Sequence, residues 1–213
     1  MNIKRLLLVL LLIIPFVSIC QKTDFNITYN SVYTEKGKRI DIFSEKDNND
    51  SYRIFMIYRY SFWDDENTYI TINIPSNKTE LFKSQMRQIQ AKYKEWSSVA
   101  KENNVQFFTK TIPVQLTAIS EITGKDLYYP DNTKIEAGFS VVDYEPSCII
   151  SCYISGKDSS GFSKGQTCNM ILYYTDFDTI IHGIDAAIQS NKNQEIRERK
   201  AQKEKDSLDV LFH

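Results

Sequence analysis

Two runs of residues, Cys148–Ile154 and Cys168–Tyr174, limit what this chain can fold into. In the first the even positions are Cys148, Ile150, Cys152 and Ile154; in the second they are Cys168, Met170, Leu172 and Tyr174. Successive side chains on a strand point to opposite faces, so each run offers one apolar face. Between them, Gly156-Lys157-Asp158-Ser159-Ser160-Gly161 has the composition of a turn. Setting Cys152 opposite Cys168 also sets Ile150 opposite Met170 and Cys148 opposite Leu172. A slip of one residue would turn the whole set to the wrong face. The pattern predicts a hairpin at the centre of a sheet, covered by the helix that follows.

The chain before it begins with strands. Phe25, Ile27, Tyr29 and Tyr33 share one face, Glu35-Lys36-Gly37-Lys38 is a turn, and Arg39 to Phe43 returns as a strand. Lys46 to Asp50 is a polar loop. Tyr52, Ile54, Met56, Tyr58 and Tyr60 share a face while Phe55 and Ile57 occupy the other, which suits a central strand. Its partner is Tyr69 to Ile74, with Ile70, Ile72 and Ile74 inward.

The period then changes. Asn77 with Glu80 three residues on has the form of a capping box. Phe82, Met86, Ile89, Tyr93, Trp96 and Ala100 make a helical stripe that ends at Asn103-Asn104. Strands are predicted again at Val105 to Thr109, Val114 to Ser120 and Phe139 to Tyr144, with turns at Gly124-Lys125-Asp126 and Tyr129-Pro130-Asp131-Asn132. A last helix starts at Thr175 or Asp176 and buries Phe177, Ile180, Ile181, Ile184 and Ile188. An offset of 95 residues lays the first helix on the second, Phe82 on Phe177 and Ile89 on Ile184. A duplicated strands-then-helix unit would give that match, and so would any two amphipathic helices.

The expected fold is α+β: an antiparallel sheet of seven to nine strands with two amphipathic helices packed on one face. It forms a single domain over 21–190, with halves 24–104 and 105–190, followed by a charged helical or disordered tail over 191–213.

Residues 1–20 read as a secretory signal. Lys4-Arg5 precedes a nearly all-aliphatic Leu6 to Val17, and Ser18 and Cys20 are small residues before a cut at Gln21. The apolar stretch is shorter than the roughly 20 residues a span requires. Val17-Ser18-Ile19-Cys20 partly matches a lipobox, so the alternative is a lipoprotein anchored at Cys20, the one route to a membrane in this reading. Removing 1–20 leaves 24 basic against 27 acidic side chains, a net −3 that gives no footprint for nucleic acid.

Three cysteines remain in the exported chain, and an oxidising compartment permits a Cys152–Cys168 disulfide, or Cys148–Cys168 in another register. Zinc is a poor fit, because residues four apart on a strand stand roughly 13 Å from each other. Gly161-Phe162-Ser163-Lys164-Gly165 matches the G-x-S-x-G pattern, yet a strand rather than a helix follows it, and only His182 is placed to act as base. Phe62-Trp63-Asp64-Asp65 puts two large aromatics beside acids at a hairpin tip, where a ring can stack on a sugar or a protein partner. Those same residues can instead fold back onto the core.

The sequence thus points to an exported, bacterial-type periplasmic or cell-envelope binding or accessory protein, non-enzymatic and without cofactor or metal. Its partner would be a small molecule, a glycan or an envelope protein, met through Phe62, Trp63, Asp64 and Asp65. The alternatives are a secreted hydrolase using Ser163 or a carboxylate such as Asp64, Asp65 or Asp176, and a secreted protein inhibitor.

Overall fold

The structure, a computed structural model, describes residues 30–59, 69–124, 129–157 and 160–211. Its elements follow in the order β1 (Asn30–Tyr33), β2 (Arg39–Lys46), β3 (Tyr52–Arg59), β4 (Tyr69–Ile74), α1 (Thr79–Glu102), β5 (Phe107–Thr111), β6 (Glu121–Gly124), β7 (Tyr129–Val142), β8 (Glu145–Lys157), β9 (Ser163–Leu172) and α2 (Tyr174–Leu211). The fold is α+β, with every strand pair antiparallel. The nine strands divide between two sheets, β1-β2-β3-β4-β6 and β5-β7-β8-β9.

The β8–β9 hairpin has the register that the alternation requires: Cys152 faces Cys168, Ile150 faces Met170 and Cys148 faces Leu172. All six are buried. β3 is the middle strand of its sheet, with Ile54, Met56 and Tyr58 in the core. The inner faces of both sheets and the apolar stripes of both helices merge into one core.

α2 lies against β1 and β2, α1 against β7 and β8, and the two helices touch each other. Arg87 and Lys83 of α1 pair with Asp178 and Asp185 of α2, and Gln90 Nε2 donates to the Tyr174 carbonyl at 2.9 Å. Ser44 Oγ donates to the Ala187 carbonyl at 2.9 Å, and Tyr52 Oη donates to Glu195 at 2.7 Å. These bonds tie α2 to β2 and β3. Past Glu195 the charged stretch continues as one helix, exposed from Ile196 through Ser207.

Three expectations change. Asn77 does not cap α1: a single 3₁₀ turn, Ser76–Lys78, precedes the helix, and no side chain bonds its N-terminus. Val114 to Ser120 is not a strand, although Leu116 and Ala118 are buried. Pro113 lacks an N–H for a ladder, and the Gln85 side chain of α1 takes the Ala118 N–H at 3.2 Å. Asparagine and proline at Tyr129 to Asn132 do not make a turn; they open β7, whose register with β8 shifts between Pro130 and Asn132. A bulge tolerates proline inside a ladder.

Candidate functional site

The residues singled out in sequence do not come together. Phe62, Trp63, Asp64 and Asp65 belong to segment 60–68, outside the described residues; its flanks Arg59 and Tyr69 pair directly across β3 and β4. Cys148, Cys152 and Cys168 are present as free, buried thiols. Burial pushes Cys148 and Cys152 up to about 12 and raises Cys168 as well, so each thiol stays protonated and weakly nucleophilic at neutral pH. Ser163 is the exposed first residue of β9, paired with Lys157, so the strand-to-helix elbow is not formed there. His182 is exposed on α2.

Asp176 is buried, but its two carboxylate oxygens accept the backbone N–H groups of Glu35 and Tyr173, each at 2.7 Å. Burial raises its pKa against those two bonds. The carboxylate clasps the β1–β2 turn to the start of α2.

A cavity lies elsewhere among the described residues. α1 ends in a Schellman motif: Asn104 is left-handed (φ 48°), its N–H reaches the Lys101 carbonyl at 3.2 Å, and the Val105 N–H reaches the Ala100 carbonyl at 2.9 Å. The chain doubles back, so β5 runs beside the last turns of α1. Between them lies an open cavity of about 390 Å³ lined by Glu95, Trp96, Val99, Ala100, Val105, Phe108, Lys110 and Phe139. That size falls in the range of about 300–1,000 Å³ typical of ligand sites.

Its walls are aromatic. Phe139 forms the floor, buried to 1% exposure. Trp96 meets it edge-on at 5.8 Å between ring centroids, and Phe108 lies 6.4 Å from it. Behind the floor, Tyr93 is 6.1 Å from Phe139 and 6.3 Å from Phe177, so the cluster runs unbroken into the core. Tyr93 Oη donates to the Pro146 carbonyl at 3.0 Å, which anchors α1 to β8. Such packing ties the floor of the cavity to the core. At the rim the Lys110 ammonium sits 4.8 Å over the Trp96 ring, with Glu95 also lining the cavity. The site can hold an apolar or aromatic group and present one charge of each sign at its mouth. Trp96 belonged to the predicted stripe; nothing in sequence joined it to Phe108 and Phe139, which lie on separate elements.

A second cluster is electrostatic. Asp41 is 1% exposed, on the face of β2 away from the core. It accepts Ser31 Oγ at 2.6 Å and Arg39 Nε at 2.6 Å, with Arg59 Nε at 3.4 Å. Burial pushes its pKa up, but the Ser31 bond and the two guanidiniums outweigh that and hold it below the usual carboxylate range. A depressed folded-state pKa contributes stability above the unfolded value and loses it as pH falls through the folded one. Asp41→Asn should therefore cost about 2 kcal/mol at neutral pH and flatten the acid side of the stability curve. Urea titrations from neutral pH to the carboxylate range check both; an unchanged acid slope would mean that Asp41 does not carry it.

Among the described residues no three His, Cys, Asp or Glu side chains gather as a metal site requires. Comparison of the chain with protein-family models, with curated proteins and with solved structures gave no match.

Proposed function

We propose that this chain is an exported, non-enzymatic binding or accessory protein of the periplasm or cell envelope, and that it binds through the pocket between α1 and β5. The observation that carries the reading is the aromatic cavity itself: Trp96, Phe108 and Phe139 line an open space of ligand size whose floor is tied to the core. An open apolar pocket with a few polar groups at its mouth is the default binding site of a fold. Export rests on Lys4-Arg5 and the aliphatic Leu6 to Val17, with anchoring at Cys20 as the alternative. Intact mass from the native host decides between them: a chain starting at Gln21 is soluble, one starting at an acylated Cys20 is anchored, and an unprocessed Met1 sinks export.

The binding test uses anilinonaphthalene sulfonate, an aromatic anion suited to the cavity and to Lys110. The dye should brighten on the folded protein, and Trp96→Ala should weaken its binding at least about tenfold, as removal of a central aromatic anchor does. Equal binding to both proteins would overturn the pocket as the site.

A further inference from the structure

We propose that the ligand is an extended polypeptide segment that adds to β5 as a new strand and drops alternate apolar side chains into the Trp96–Phe108 pocket. This rests on the pocket reading above and supplies the class of partner.

β5 is an end strand: β7 pairs with one side of it, and among the described residues no strand pairs with the other. The register fixes which backbone groups are free. The Ile112 N–H donates to the Ala137 carbonyl at 2.8 Å, one step past the Thr111–Gly138 pair. Bonded pairs alternate along an antiparallel ladder. Phe108 and Lys110 therefore spend their backbone groups on β7, and those of Phe107, Thr109 and Thr111 point to the open edge. A lipid tail or small aromatic would fill the cavity and leave this row to water. A polypeptide uses both.

Exposed apolar side chains lie on both faces beside the edge. Val99 (54%), Phe107 (62%), Phe108 (47%), Val142 (53%) and Tyr144 (56%) are five of the twelve large apolar side chains exposed among the described residues, and all five lie on β5 or beside it. Phe107 pairs with Val142 on the outer face, whereas Phe108 and Lys110 line the pocket on the inner one. An added strand also alternates, so one set of its side chains would meet the pocket and the other would cover Phe107. Edge strands are normally guarded by proline, a bulge or an outward charge. β5 has neither proline nor register shift, and its one charge, Lys110, is folded over Trp96. The matching partner is a proline-free stretch with aromatic or aliphatic residues at alternate positions. Strand addition recognises such a stretch through backbone bonds and alternate pockets.

The test selects a phage-displayed library of random peptides on the purified protein, with elution by anilinonaphthalene sulfonate. The tightest clone, made as a synthetic peptide, should displace the dye. It should slow hydrogen exchange at the amides of Phe107, Thr109 and Thr111 by at least about tenfold, with little change at Phe108 and Lys110. N-methylation at its edge-facing amides should weaken binding about tenfold per lost bond. Thr109→Pro, which removes an outward donor and no bond to β7, should weaken the peptide and leave the dye unaffected. A peptide that displaces the dye without protecting those three amides, or that tolerates N-methylation, overturns strand addition and leaves the pocket standing. So does a library that yields no clone competing with the dye. Failure of the dye to bind the wild-type protein removes the pocket reading first.

Discussion

Replacing Ile89 with aspartate is expected to leave the chain without a cooperative folded state. Ile89 is fully buried at the middle of the α1 stripe, between Met86 and Tyr93. The substitution removes a large aliphatic side chain, worth about 2–5 kcal/mol in a core. It also buries a carboxyl with no partner, which adds several kcal/mol whether the group ionises or stays protonated. The sum, at least about 5 kcal/mol, equals or exceeds the whole stability of many domains. Gln88→Asp, one residue away on the exposed face, should cost within about 0.5–1 kcal/mol. Urea unfolding followed by circular dichroism separates the two. A cooperative transition for Ile89→Asp near that of wild type would mean that α1 does not seal the core.

That contrast was readable in the sequence, because a helical stripe states which residues face inward. The β8–β9 register was readable for a similar reason: three apolar pairs agree on one alignment and on no neighbouring one. What the sequence withheld depends on contacts between distant segments. Val114, Leu116 and Ala118 alternate as a strand would, yet the partner that satisfies Ala118 is a glutamine of α1. Pro130 looked like a turn residue and lies where the β7 register shifts. The division of nine strands into two sheets turns on β6 returning to pair with β4, which no local pattern encodes. The pocket joins Trp96, Phe108 and Phe139, whose spacing in sequence carries no period. Its only local sign was the Asn103-Asn104 stop, which turns the chain back along α1.

Gly183→Leu is the second substitution expected to be severe, and it acts at a position where sequence alone counsels the opposite. A glycine inside a helix is less favourable than alanine by about 1 kcal/mol, so filling it would ordinarily help. Here a Cβ on residue 183 would lie 2.8 Å from Ile42 Cδ1 and 2.9 Å from Val32 Cγ1. Ile42 is fully buried and Val32, branched at Cβ, has little rotamer freedom, so neither can move aside cheaply. Gly183 and Ala187 together let α2 approach β1 and β2 closely enough for Ser44 to reach the Ala187 carbonyl. Leucine should force the helix off the sheet at a cost of about 3 kcal/mol or more, and alanine should lose about 1 kcal/mol once overpacking offsets its helical preference. A double-mutant cycle identifies the cause. Ile42→Val alone removes a buried methyl and should destabilise by about 0.5–1.5 kcal/mol. With Gly183→Ala present it removes the clashing Cδ1, so the same change should be neutral or stabilising. Additive losses would place the strain elsewhere, and a stabilised Gly183→Ala protein would show that α2 does not need this close approach.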